Sequence, residues 1–141
     1  MLDLSNSRDA HFAERLRSNV AAWLVTVRPD GRPHVVVVWY LWDEASNSIL
    51  IFSKPEQQKV KNIRANPQVS FVLDDSKDGD DPIIFEGHAE LIDDPNIKPT
   101  LSAYADKYGE RMKEINLYPP EKMAAEYTQC IRITPEKIRQ W

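Results

Sequence analysis

"ILIFSKPEQQKVKNIRANPQVSFVL", residues 49–73, is the stretch from which the fold is read. It opens and closes in short runs of Ile, Leu, Phe and Val, the composition of buried strands. Between them stand Lys54, Lys59, Lys61 and Arg64, a basic turn and helix in a chain of net charge −4. Ser53-Lys54-Pro55-Glu56 has the form of a capping box with proline in the first turn, which predicts a helix from about residue 55 to residue 66. Val60 and Ile63 supply its buried stripe. Asn66-Pro67 ends it, because the residue before a proline is driven out of helical geometry.

Working outward, "VAAWLVTV" runs into "RPDGRP" and then "HVVVVWYLW". Pro29-Asp30-Gly31 is turn chemistry, with Gly31 free to take positive φ, so residues 20–42 predict a β-hairpin. The unbroken apolar run of its second strand implies cover on both faces. "DEASNS" is the next turn and "SILIFS" a third strand. "QVSFVLD" and "PIIFEGHAELID" are the fourth and fifth, with Gly87 marking a bulge, and "TQCIRITP" is a sixth. Residues 5–19 predict a short helix with Phe12, Ala13 and Leu16 on one stripe and serines to cap it. Residues 95–127 hold helical material broken by Pro99, Gly109 and Pro119-Pro120. Only one helix separates the first five strands, so alternating βαβ units do not fit. The expected fold is mainly β, one domain over residues 1–141: a six-stranded antiparallel Greek-key barrel with peripheral helices.

Composition bounds the function. A length of 141 residues suffices to bury about two-thirds of the unfolded surface. The acidic balance argues against a general nucleic-acid partner. No apolar stretch approaches the ~20 residues of a membrane span, and "MLDLSNSRDAHF" lacks the apolar core of a signal peptide. Cys130 stands alone, which suits a reducing cytoplasm. The four glycines, at 31, 79, 87 and 109, permit neither a P-loop nor a Rossmann fingerprint, and there is no G-x-S-x-G elbow. His11, His34 and His88 fall in separate elements, so no metal cluster is read from spacing; hydrogen-bonded structural roles are expected for His34 and His88. Asp74, Ser76, Asp78 and Gly79 fit the start of a calcium loop, but Phe85 falls where the closing Glu is needed. A solvated hairpin tip is the better reading. Trp23, Trp39, Tyr40 and Trp42 are read as core and interface residues rather than base-stacking platforms.

The basic stretch admits two readings. A helix N-terminus carries unpaired N–H groups and a partial positive charge, so Ser53, Lys54 and Lys59 would make an anion site. On spacing alone they are equally a solvated face.

The order of "WLVTVRPDGRPHVVVVWY", "ILIFSKPEQQKVKNIRANPQVSFVL" and "IIFEGHAEL", with the closing "IRITPEKIRQW", resembles the pyridoxamine-5′-phosphate-oxidase-like split-barrel family of flavin and deazaflavin proteins. Within that family the "PDGRPH" turn and the strand ending in Trp-aromatic look most like the deazaflavin (coenzyme F420) reductase branch. The resemblance implies an FMN-binding type of split barrel and a homodimer with cofactor at each interface. It implies a phosphate at the turn after the third strand, with Phe52 and Ser53 as the aromatic-hydroxyl pair, Lys54 beside them and Lys59 as the phosphate lysine. Val36, Val37 and Val38 would lay their backbone along the ring edge. Gln58 stands where the flavin oxidases carry arginine, and Pro82 where they use glutamine. The substrate-binding C-terminal segment of the vitamin-processing enzymes has no counterpart. A less basic phosphate site suits the phosphodiester of the deazaflavin coenzyme better than the terminal phosphate of FMN. Arg28, Arg32, Lys61 and Arg64 are read as solvated, with contact to an acidic coenzyme tail as the alternative.

The implied function is flavin- or F420-dependent hydride transfer to a small unsaturated substrate, reducing C=C or C=N, in a cytoplasmic homodimer. No metal, nucleic-acid or membrane partner is expected. No convincing general acid is identifiable from the sequence, Tyr40 and Tyr104 being only guesses, so a non-catalytic FMN- or haem-binding module is the alternative.

Overall fold

The computed structural model describes residues 6–139. The expected helix start at Ser5 and the end of "IRITPEKIRQW" lie outside the described residues. The elements run α1 (Ser7–Ser18), β1 (Ala21–Val27), β2 (Pro33–Trp39), β3 (Leu41–Asp43), β4 (Ser48–Ser53), α2 (Gln58–Ala65), β5 (Gln68–Leu73), β6 (Ile83–Ile92), α3 (Ser102–Glu114), α4 (Pro120–Glu126) and β7 (Gln129–Arg139). All strand pairs are antiparallel, in one seven-stranded sheet of order β2-β1-β5-β6-β7-β4-β3.

The barrel follows from that order. β2 and β3 are the two edges of the sheet, yet Tyr40 alone separates them in the chain. The sheet therefore curls until its edges meet. The expectation of one strand through "HVVVVWYLW", and of six strands in all, is corrected here to two strands and seven. The break has a cause outside the sheet. The Tyr40 N–H donates to Tyr108 Oη at 2.9 Å, and Lys107 Nζ donates to the Tyr40 carbonyl at 3.0 Å. A run of apolar residues does not show where its main chain leaves the ladder.

β4 explains the apolar run that opens the quoted stretch. Ile49 and Ile51 join the barrel core with Leu24, Phe71, Ile131 and Ile133. Leu50 and Phe52, on the opposite face, are covered by Tyr104, Tyr108, Met112 and Met123 of α3 and α4. Each such side chain contributes about 1.5–3 kcal/mol on full burial, so both faces of one strand hold the two cores together.

α2 carries Val60 and Ile63 into the barrel core as expected, but it starts at Gln58. The predicted capping box does not form: the N-cap is Gln57, with no side-chain cap bond. Ser53 is fully buried and paired with Gln129 as the last residue of β4. Its hydroxyl lies against the Lys54 carbonyl (2.9 Å) and Gln57 Oε1 (3.1 Å), which shapes residues 54–57 into a turn. α1 buries Phe12, Ala13 and Leu16 as expected, with Asn6 rather than a serine as its cap.

The register of β6 against β7 shifts between Glu86 and Gly87. A Cβ on Gly87 would overlap the Thr134 carbonyl oxygen, so the bulge excludes any side chain. Pro135 pairs opposite Gly87 and β7 continues past it, where "TQCIRITP" had been expected to end; a bulge tolerates the missing N–H. The acidic tip is closed by Asp74 Oδ1, which accepts from the Ser76 amide at 3.0 Å. No helix among the described residues is long and apolar enough to cross a membrane.

Candidate functional site

A cleft of about 460 Å³ opens where β2, the end of β4, the start of α2 and the α3–α4 segment converge. Its size lies within the range of small-molecule sites. Val36, Val37 and Val38 form one wall. Among the described residues β2 is an edge strand bonded only to β1, so the main-chain groups on its other side are not engaged by the sheet. Val36 and Val38 pair with Leu24 and Ala22 on the core face, whereas Val37 pairs with Trp23 and is 63% exposed. A run apolar on both faces thus separates core from cleft mouth.

Phe52 lines the floor, edge-on to Tyr104 with ring centroids 4.9 Å apart. Behind it Tyr108 stacks on Trp39 at 4.7 Å. Ile115, Leu117, Met123 and Tyr127 complete the apolar side.

The polar end is built by the turn into α2. Gln57, Gln58 and Lys59 line it. The N–H groups at the start of a helix have no intrahelical acceptor, and α2 has neither a side-chain cap nor an acid in its first turn to satisfy them. Lys59 is half-buried, and desolvation lowers its pKa. Its ammonium donates to Gln57 Oε1, a neutral partner. The Gln58 amide donates to Asn62 Oδ1 at 2.8 Å, and buried Asn62 donates to Thr26 Oγ1 at 2.9 Å. That chain fixes Gln58 from behind. A cation, helix N–H groups and a held amide at one end of an apolar cleft make a place for an anionic group.

Of the residues named from sequence, Val36, Val37, Val38, Phe52, Gln58 and Lys59 meet at this cleft. Ser53 and Lys54 do not line it. Ser53 directs its hydroxyl into the turn, and Lys54 Nζ lies 5.5 Å from the ring centroid of Tyr127. His34, expected to be structurally bonded, lines the cleft instead, and its Nδ1 is buried without a partner among the described residues. Desolvation, then repulsion from Arg28 and Lys59, lowers its pKa. His88 does bond, with Nδ1 2.7 Å from Glu136 Oε1. Tyr127, Met123 and Leu117 were not singled out from sequence, because they come from helical material left unassigned; Tyr104 was named there only as a guess at a proton donor, not as a site residue. Tyr104, Tyr108 and Met112, four apart, were the signal of a buried stripe there.

Comparison with known proteins agrees with this fold. The sequence profile described as pyridoxamine 5′-phosphate oxidase matches residues 9–141. A conserved hypothetical protein from Mycobacterium tuberculosis is 27% identical, with 94% of this chain and 82% of that chain covered at a TM-score of 0.77. A protein named F420 reductase is 25% identical, covering 89% of this chain and 94% of that chain at 0.65. HutZ, a haem storage protein from Vibrio cholerae, shares the fold at 14% identity and a TM-score of 0.65, with 93% and 92% of the two chains covered.

Proposed function

The chain belongs to the pyridoxamine 5′-phosphate oxidase family, and from that premise we propose that it is a flavin- or deazaflavin-dependent oxidoreductase reducing C=C or C=N bonds of a small organic substrate. One observation carries the reading: the cleft joins an uncapped, lysine-bearing helix start to the free edge of β2 through an apolar floor. That is the polarity of a flat ring with a phosphorylated tail.

Lys59, Gln58 and the first amides of α2 would hold the phosphate. The β2 main chain from Val36 to Val38 would meet the polar edge of the ring, and Phe52 would pack against the tail. Ser53 and Lys54 would act one layer back, by setting the turn. When bound, the cofactor supplies the hydride; the protein binds, orients and excludes water. Met123, Leu117 and Tyr127 give the remaining space an apolar lining, suited to an uncharged acceptor. Gln58 in place of arginine favours coenzyme F420 over FMN, and with Pro82 it argues against pyridoxamine phosphate as substrate.

A second copy of the chain would complete the site. Trp23, Val35 and Val37 are 41%, 56% and 63% exposed along the outer face of β1 and β2, next to the cleft. We read the protein as a cytoplasmic homodimer without nucleic-acid or membrane partners.

The test is a titration of the purified protein with FMN and with coenzyme F420, followed by gel filtration. Co-elution of one of them, and its turnover in reduced form with an enone acceptor, are expected. Binding of neither would overturn the reading. Binding without turnover would favour the second reading, a haem or flavin carrier, for which His34 and Met123 in the cleft wall are residue types able to ligate haem iron.

A further inference from the structure

Tyr104 is fully buried, lines the cleft, and has a hydroxyl with no hydrogen-bond partner among the described residues. Its neighbours account for the ring but not for the oxygen. The ring packs edge-on to Phe52 at 4.9 Å and tilted against Tyr108 at 4.9 Å. The Tyr108 hydroxyl is engaged elsewhere, 2.6 Å from the Val20 carbonyl and 2.9 Å from that of Tyr40. Leaving a buried donor unbonded is unfavourable, and folds rarely retain one without cause. Burial and the nearby phenols raise the Tyr104 pKa, so the group stays a neutral O–H with a proton to donate.

We propose that Tyr104 Oη is a specificity-determining donor, held for a carbonyl or ring-nitrogen acceptor on the heterocycle that occupies the cleft. His34 Nδ1, buried and unpartnered among the described residues on the β2 wall of the same cleft, is a second polar atom suited to the same occupant. A ligand with an acceptor at the Tyr104 position satisfies the hydroxyl, whereas an all-carbon isostere leaves it stranded. Discrimination of this kind exceeds what an apolar pocket achieves by shape. The role of Tyr104 rests on the cleft being the cofactor site, and it differs from the proton donation that the sequence offered for this residue only as a guess.

The Tyr104→Phe variant tests it with two readouts. A hydroxyl bonded only to ligand leaves the ligand-free protein melting at or above the wild-type temperature when removed. A hydroxyl bonded within the protein would lower the melting point by about 3 °C or more. The second readout is a fluorescence titration with FMN and with coenzyme F420. We expect an unchanged or raised melting temperature, together with about tenfold weaker binding of whichever cofactor the wild type takes. A clear drop in ligand-free melting temperature overturns the inference. So does equal affinity in wild type and variant, which would leave the proposed function standing. If the wild type binds neither cofactor, the proposed function fails and this inference with it.

Discussion

Lys59 stands in the first turn of α2 with its ammonium half-withdrawn from water and, among the described residues, only an amide oxygen to meet it. A cation held this way is poised for an anion, and removing it is the plainest residue-scale test. Lys59→Ala should weaken cofactor binding by about 1.5–3 kcal/mol, the size of a charge-assisted hydrogen bond, in a titration of the folded variant. Unchanged affinity would count against the phosphate assignment. His34 predicts a pH effect whose sign follows from its surroundings. Desolvation and the Arg28 and Lys59 charges lower its pKa below 6.5. The folded state therefore binds fewer protons here than the unfolded chain does. Its contribution to stability is present above pH 6.5 and is lost as pH falls from there through the lowered folded value. Melting curves between about pH 7.5 and 5.5 should fall less steeply for His34→Gln than for wild type; parallel curves would contradict this.

At the scale of elements, two joints govern the fold. Gly87 admits no Cβ, since the Thr134 carbonyl oxygen already occupies that space. Gly87→Ala should destabilise the protein by about 2–3 kcal/mol in urea unfolding, as overpacking does. At the Tyr40 joint, Tyr108 serves the Tyr40 amide and the Val20 carbonyl at once. Tyr108→Phe strands both groups and should cost about 1–3 kcal/mol. A neutral result at either joint would mean the chain relaxes around it. The elements that could be read from sequence were those whose cover is uniform along their length. β4 and β5 were legible because their apolar residues sit on fixed layers, and the Gly31 turn because its φ of +90° needs glycine. The split of "HVVVVWYLW" was not legible, because Tyr108, 68 residues away, decides it. The start of α2 was misread for a related reason. Ser53 has the type of an N-cap, but pairing with Gln129 confines its hydroxyl to the turn.

For the whole molecule, the sheet exposes Trp23, Val35 and Val37 beside the cleft, a continuous apolar strip on an otherwise acidic protein. If the site is shared between subunits, a second copy covers this strip. Light scattering should report a dimer for the wild type and a monomer for a Val35→Asp, Val37→Asp double variant with unchanged circular dichroism. A wild-type monomer would contradict the shared site. The polar end of the cleft was legible in residues 49–73, which contribute Phe52, Gln58 and Lys59 to its lining. The α3–α4 wall was not, since Tyr104, Leu117, Met123 and Tyr127 reach it through tertiary packing that no local spacing encodes. The decisive measurement is a crystal structure of the protein with FMN or coenzyme F420 bound. Phosphate density is predicted within hydrogen-bond reach of Lys59 Nζ and the first amides of α2, with the ring along β2. Cofactor lodged instead in the groove beside Gly87 and His88, or no ordered cofactor at all, would contradict the assignment.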